Sequence, residues 1–459
     1  MKSLRPALLL ALALAFGILT SGRAAPAPIP LTWKAGTATA IVTPETNLWM
    51  AGYAFRSKPA EGKAQDLFAK ALALEDAQGG RLVIVTFDLI GVPRTLRQSL
   101  APRLAKAYGL RPEQFLLNAS HTHSGPEFRL GRTPADDDDY KPSTLGEQYG
   151  DRLAETVFKL VGDALHNLAP ARLGYAHARC GFAMNRRLPT PTGFKNSPNP
   201  EGPVDHDVPV LRVDGADGKP RAVLFGYACH NTTLSLYEWC GDYAGFAQEY
   251  LQADNPGLTA LFLNGCSGDQ NPYPRGTMDL ARQHGRSLAN AVEAALLPAP
   301  RVLAGSVRAA FGEVTLDYSA IPTRAEFQAR LESKDKYESA HAKRMLARLD
   351  AGEKLPTSYP CPVQVVHFGD DLILAAIGGE VVVDYDLRLR KELAGQAAVW
   401  IAGYSNDVMA YIPSKRVREE GGYEGVEAMR FSPTHPAPWD PSLEERIIGK
   451  VHELNKQLR

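Results

Sequence analysis

EQFLLNASHTH, residues 113–123, joins a short apolar run to two imidazoles, His121 and His123, set on either side of one threonine. An apolar run of this length, closed by polar residues, reads as a strand covered on both faces. Five further segments follow the same plan. RLVIVTFDLIGVP (81–93) reaches Asp88, RAVLFGYACHNTT (221–233) reaches His230, and LTALFLNGCSGDQNP (258–272) reaches Asn264 and Asp269. DLILAAIGGE (371–380) reaches Glu380, and AAVWIAGYSND (397–407) reaches Asn406. Helical spacing falls between some of these runs: Leu96, Leu100 and Leu104, then Leu153, Val157, Val161 and Leu165, then Leu280, Leu288 and Val292. Strands alternating with helices predict an α/β fold, with a central mixed, largely parallel sheet flanked by helices. In such sheets ligands collect at the carboxyl ends of the strands, so the active site is expected there.

The rest of the chain bounds the function. Lys plus Arg and Asp plus Glu are equal at 51 each, and no basic stripe occurs, which argues against nucleic-acid binding. Lys2 and Arg5, the apolar run from Ala7 to Leu19 and the small residues up to Ala24 and Ala25 read as a signal peptide over 1–25. A single catalytic domain is expected over 26–459, secreted or periplasmic. Five cysteines without a CxxC pair predict core packing with at most one disulfide and an unpaired thiol. The acidic run at 135–140 reads as a solvated loop, and the Pro/Gly-rich 189–203 as a connection. Residues 323–353 read as an exposed helical excursion, with a lid as the sharper alternative. Leu443, Ile447, Val451 and Leu454 predict a final packed helix.

A His-x-His pair on an extended segment aims both rings to one side, because the strand period is two. Such a pair commonly supplies two metal ligands, or one ligand and one acid/base group; with His230 and Glu380 at other strand exits, two imidazoles and a carboxylate suit Zn²⁺ with one position open for water. Bound zinc lowers the pKa of that water to about 7. Ordinary readings exist beside this one: a polar strand end for His230 and a helix-start neighbour for Glu380.

The ordered set HTHSGP, MNRR, ACHNTT, NGCSGD-NP, GGE and GYSND…Y…GGYEG resembles the neutral, non-lysosomal ceramidases, specifically their N-terminal catalytic domain, over most of 32–432. The resemblance implies a zinc amidase that cleaves the N-acyl bond of ceramide. It implies His121, His230, Glu380 and Tyr423 as zinc ligands. His123, Arg186 and Tyr411 are implied as catalytic groups beside the scissile amide, His123 moving protons and the other two stabilising the oxyanion. Asn264, Asp269, Asn271 and Asn406 are read as substrate-positioning, and Asp88 or Asp269 as orienting a ligand histidine. Asn271 stands where eukaryotic members carry a serine, which weighs against a serine-acyl route; Ser267 is out of register. The immunoglobulin-like C-terminal domain of full-length members is expected to be absent. The partner expected is a small-molecule or lipid amide, met by transient contact with a membrane surface, with no nucleic acid and no protein partner. The alternatives are hydrolysis of another amide, an N-acetylated sugar or a peptide, or an exported binding protein that uses the same pocket without chemistry. An apolar pocket rim favours lipid and a polar one favours sugar.

Overall fold

The six runs quoted above are six strands, and they pair with one another as three parallel couples. The computed structural model describes residues 31–129 and 143–459, so the signal peptide expected over 1–25 and the acidic run at 135–140 lie outside the described residues. In chain order the large sheet contains β1 (Trp33–Ile41), β2 (Phe68–Asp76), β3 (Arg81–Phe87), β4 (Phe115–Ala119), β5 (Ala169–Arg179), β6 (Asp207–Gly215), β7 (Pro220–Tyr227), β8 (Thr259–Asn264) and β9 (Arg301–Leu303). Its spatial order is β8-β7-β6-β5-β1-β2-β3-β4, with β9 beside β5. A second sheet orders β10 (Val307–Asp317), β11 (Ser358–Phe368), β12 (Leu372–Ile377) and β13 (Ala398–Ala402).

Only β3–β4, β7–β8 and β12–β13 among these ladders are parallel. The others are antiparallel, which corrects the expectation of a largely parallel sheet. The reason is local. Short turns at 77–80, 216–219 and 369–371 carry Gly79, Gly218 and Gly369 at positive φ and close hairpins, and a hairpin can only join antiparallel strands. The parallel couples need crossovers, and these are helical: α1 (Arg94–Tyr108) joins β3 to β4. The other helices of seven residues or more, in chain order, are α2 (Ser143–His166), α3 (Asp242–Asp254), α4 (Met278–Leu296), α5 (Arg324–Arg330), α6 (Lys336–Asp350), α7 (Asp384–Glu392) and α8 (Leu443–Gln457). Of these, α3 joins β7 to β8 and α7 joins β12 to β13.

Alternation along β3 shows where the layers meet. Val83, Val85 and Phe87 pack with Leu100 and Leu104 of α1 and Leu153 and Val157 of α2. Leu82 and Ile84 face the other way and pack with Val366, Leu372, Leu374 and Trp400 of the second sheet. The second sheet is covered in turn by α7 and α8, whose Leu389, Leu443, Ile447, Val451 and Leu454 are all buried. The architecture is helices, sheet, sheet, helices. The six strands read as apolar runs are covered on both faces as predicted, but one cover is a second sheet.

Two peripheral expectations change. Residues 189–203 are not a plain connection: Ala183–Thr190 and Gly193–Asn199 form a hairpin. Residues 323–353 form α5 and α6 around a small core of Phe327, Ala342, Met345 and Leu346, but the inner face of α6 is not exposed and meets a cavity described below. All five cysteines are free and buried.

Candidate metal centre

His121 follows β4 with φ 65°, so the His-x-His segment is a turn and not the extended strand assumed from the sequence. The turn brings the rings within 4.9 Å, edge to face. Two backbone carbonyls then settle the tautomers. His121 Nδ1 lies 2.5 Å from the Ile90 carbonyl oxygen, and His230 Nδ1 lies 2.6 Å from that of Ser267. A carbonyl can only accept, so each Nδ1 carries the proton and each Nε2 offers a lone pair. Asp88 and Asp269, expected to orient these rings, do not. Asp88 accepts from the Phe68 N–H and Gln248, and Asp269 accepts from the Val383 N–H and Asn185.

Both lone pairs meet a third acceptor. Glu380 Oε2 lies 3.2 Å from His121 Nε2 and 3.4 Å from His230 Nε2, and no hydrogen-bond donor reaches it. Burial, with Arg186 nearby, pulls the His230 imidazole down to about 3, so His230 does not serve this oxygen as an imidazolium donor. Three buried acceptors facing one another call for a cation. Zinc-to-ligand bonds of about 2.0–2.2 Å at a tetrahedral centre set ligand atoms roughly 3.3–3.5 Å apart, close to what is seen. These residues fit a metal ion, and a buried group of His121, His123 and His230 is also compact enough to hold one.

The phenol that joins this cluster is Tyr411. Glu380 and Tyr411 are paired residues of a two-strand parallel ladder, Glu380–Val381 with Tyr411–Ile412. The Tyr411 hydroxyl lies 3.3 Å from His230 Nε2 and accepts from Arg186 Nη2 at 2.9 Å. Tyr423 lines the cavity, with its ring 5.3 Å from that of Tyr411. The geometry therefore sets Tyr411 beside His230 and Glu380, where the resemblance implies Tyr423, and leaves Tyr423 on the cavity wall.

His123 Nε2 lies 3.2 Å from His121 Nε2, and its Nδ1 has no hydrogen-bond partner. Burial and the neighbouring imidazoles hold its pKa well below the ordinary value, so it is neutral and able to take a proton. Gly52 makes this approach feasible: a Cβ there would sit 2.4 Å from His123 Cγ. Arg56 Nη1 donates to the carbonyls of Ala51 and His123 and clamps the two segments together.

The remaining expected residues stand behind the cavity. Arg186 does not line it. Its Nε donates to Glu424 at 2.7 Å and its Nη1 to Asn271 Oδ1 at 3.2 Å, so direct oxyanion contact gives way to a hold on Tyr411. Asn264 is fully buried, its side chain donating to the Ser120 carbonyl. Asn406, at φ 65°, accepts from Arg97 and the Leu117 N–H and donates to Gln364. Asn264, Asp269 and Asn406 thus satisfy buried backbone and side-chain groups at strand ends and touch no cavity wall, which corrects their reading as substrate contacts. Asn271 also accepts from Thr232, and its amide stands beside Arg186, outside the cavity. Sequence reading missed Glu424 and Arg187, although both sit inside the quoted motifs YEG and MNRR. It also missed the two carbonyls, which no residue type announces.

The cavity itself measures about 210 Å³ and opens onto His121, His123, Glu380 and Tyr411. Trp49, Met50, Tyr53, Met409, Met429 and Phe431 supply much of its wall, with Tyr337 of α6 among the residues that close it.

The family model described as neutral/alkaline non-lysosomal ceramidase, N-terminal, matches residues 33–278. Neutral ceramidase A of Dictyostelium discoideum is 26% identical over 258 residues, half of this chain and 34% of that protein. The neutral ceramidase of Drosophila pseudoobscura pseudoobscura is 24% identical over 243 residues, 50% of this chain and 32% of its own length. The chain thus spans about a third of the length of the curated relatives it matches. Among solved structures, ceramidase complexed with C2 superposes with a TM-score of 0.70 at 20% identity, covering 93% of this chain and 76% of that one. The neutral ceramidase from Pseudomonas aeruginosa gives 0.70 at 20% identity, covering 93% and 74%. These superpositions establish a shared fold. With the family model matching more than half of its length, the chain belongs to the neutral/alkaline non-lysosomal ceramidase family.

Proposed function

We propose that this protein is a zinc-dependent amidohydrolase that cleaves the N-acyl bond of a ceramide-like lipid. The observation that carries the proposal is the meeting of His121 Nε2, His230 Nε2 and Glu380 Oε2, all acceptors, at the floor of a cavity walled by aromatic, thioether and charged side chains. His121, His230, Glu380 and Tyr411 would hold the ion. When bound, zinc would polarise the amide carbonyl and acidify a water. His123, neutral and beside the ligand atoms, takes a proton from the attacking water and returns it to the leaving nitrogen. Tyr423 on the wall donates to the carbonyl oxygen as it gains charge, a contact typically worth roughly 3 kcal/mol. Arg186 keeps the Tyr411 hydroxyl in place. Asn271 accepts from Arg186 and Thr232 and lies off the cavity, so no serine nucleophile is invoked.

Trp49, Met50, Met409, Met429 and Phe431 offer apolar contact to an acyl chain, and Arg129, Arg344 and Arg430 on the same wall offer polar contact to a head group. The Lys2/Arg5 leader with its apolar run supports export, where the enzyme would meet its substrate at a membrane surface. The test is hydrolysis of a long-chain ceramide, an N-acetyl sugar and an N-acyl peptide by the zinc-loaded and the chelated protein. Zinc-dependent release of fatty acid from ceramide alone is the expected result. Turnover of the sugar or peptide in preference to ceramide would overturn the substrate class, and no turnover of any would overturn catalysis.

A further inference from the structure

Behind the cavity, Arg186 and Arg187 converge on one buried carboxylate. Glu424 Oε1 accepts from Arg186 Nε at 2.7 Å, and its Oε2 accepts from Arg187 Nη1 at 2.8 Å. All three side chains are buried, with 6%, 2% and 3% of their surface exposed. Consecutive strand residues ordinarily point to opposite faces. Here the hairpin ladder slips, Asn185 pairing with Asn199 but Arg187 with Asn196, and such irregularities re-aim side chains beside functional sites. Glu424 directly follows Tyr423, on the single turn Gly422–Gly425. Gly425 fits there only without a Cβ, which would lie 2.4 Å from the Val417 carbonyl oxygen. The outer edge of Arg187 is held by Glu420 Oε2 at 3.1 Å and by the Gly421 carbonyl.

We propose that Glu424 is a positioning residue that sets the Arg186 guanidinium against the Tyr411 hydroxyl and, through its own turn, sets Tyr423 on the cavity wall. Arg186 reaches Tyr411 with Nη2 while its Nε is fixed by Glu424 and its Nη1 by Asn271. The guanidinium is planar, so fixing Nε and Nη1 fixes the direction of Nη2. A carboxylate shared by two arginines holds that plane more firmly than a single contact. The inference rests on the proposed amidase reading for its kinetic consequence, while its structural content stands apart from it.

The experiment compares wild type with Glu424→Gln, Glu424→Asp and Glu420→Gln in the zinc-loaded protein. Glu424→Gln keeps the shape but loses the charge. Glu424→Asp keeps the charge, so it remains folded should the glutamine variant unfold, yet its shorter arm cannot span both arginines. Each variant is measured for melting temperature, for kcat and KM on a ceramide, and for the Arg186 Nε–H resonance in ¹⁵N-arginine-labelled protein. The result expected of a folded Glu424→Asp or Glu424→Gln is a moved Arg186 resonance and kcat lower by about tenfold to a hundredfold, with KM within about twofold. The aspartate variant is expected to retain more kcat than the glutamine one. Glu420→Gln, which touches only the outer edge of Arg187, keeps wild-type kcat. A folded Glu424→Asp with an unmoved resonance and wild-type kcat overturns the proposal. If wild type hydrolyses no amide, the functional reading fails by itself, and the resonance alone still decides whether Glu424 fixes Arg186.

Discussion

Gly268→Ala perturbs the metal site without removing a ligand. A Cβ at this position would lie 2.7 Å from the Glu380 carbonyl oxygen and 2.8 Å from that of Val381, some 0.6–0.7 Å short of an ordinary 3.4 Å contact. Neither oxygen belongs to a flexible side chain. Gly268 cannot back away cheaply either, because its N–H donates to the Val381 carbonyl at 2.8 Å. The strand that carries Glu380 must shift by roughly half an ångström, about the tolerance of a preorganised site. Overpacking of this kind costs about 1–3 kcal/mol of stability. A ligand displaced by that much should weaken metal binding by about tenfold to a hundredfold, the range found when the support of a metal ligand is lost. The assay is competition for zinc against a chromophoric chelator, with a thermal melt of the chelated protein run in parallel. Wild-type affinity in Gly268→Ala, with an unshifted melt, would refute the claim that close backbone approach at Gly268 sets the Glu380 position.

Other perturbations separate structural from catalytic roles. Asn406→Ala leaves Arg97, the Leu117 N–H and Gln364 without their partner and keeps a side chain at φ 65°; it should lower stability by about 2–4 kcal/mol in a denaturant titration while zinc stoichiometry stays at wild type. His123→Ala should reduce kcat by about a hundredfold or more, since it removes the proposed proton carrier, yet retain bound zinc by mass spectrometry. Burial raises the Asp269 carboxyl to about 7, above an unfolded value of about 4, so its neutral form is favoured by folding. That contribution is fully present below about pH 4 and disappears as pH climbs through about 7, at up to roughly 1.4 kcal/mol per unit. Asp269→Asn should flatten this limb of a plot of stability against pH; an unchanged limb would assign it to other groups.

The positions of the chemistry were legible because a parallel couple has a plain signature. Its strands are continuous apolar runs that end abruptly in polar residues, and the six runs read from the sequence are the members of the three parallel couples in the two main sheets. The antiparallel strands were less visible. Trp33–Ile41 (WKAGTATAI) mixes small and polar residues, and Gly193–Asn199 (GFKNSPN) has the composition of a loop. The exchange between Tyr411 and Tyr423 has a similar cause. Motif spacing places both tyrosines near the site, but the pairing of Glu380 with Tyr411 is a contact between segments 31 positions apart in the chain. Asn264, Asp269 and Asn406 were misread because Asn and Asp at a strand exit serve equally well as ligand contacts or as partners for buried backbone. Only the hydrogen-bond inventory distinguishes the two. The histidine tautomers were beyond reach for the same reason, since they depend on the carbonyls of Ile90 and Ser267.

The central claim is that buried acceptors on four separate segments hold one metal ion, and anomalous diffraction at the zinc edge tests it most directly. The account predicts a single strong peak within bonding distance, about 2.0–2.3 Å, of His121 Nε2, His230 Nε2, Glu380 Oε2 and the Tyr411 hydroxyl oxygen, absent from crystals of His230→Ala. A zinc-soaked wild-type crystal with no peak there, or with the ion bound elsewhere while these acceptors stay as they are, would contradict it.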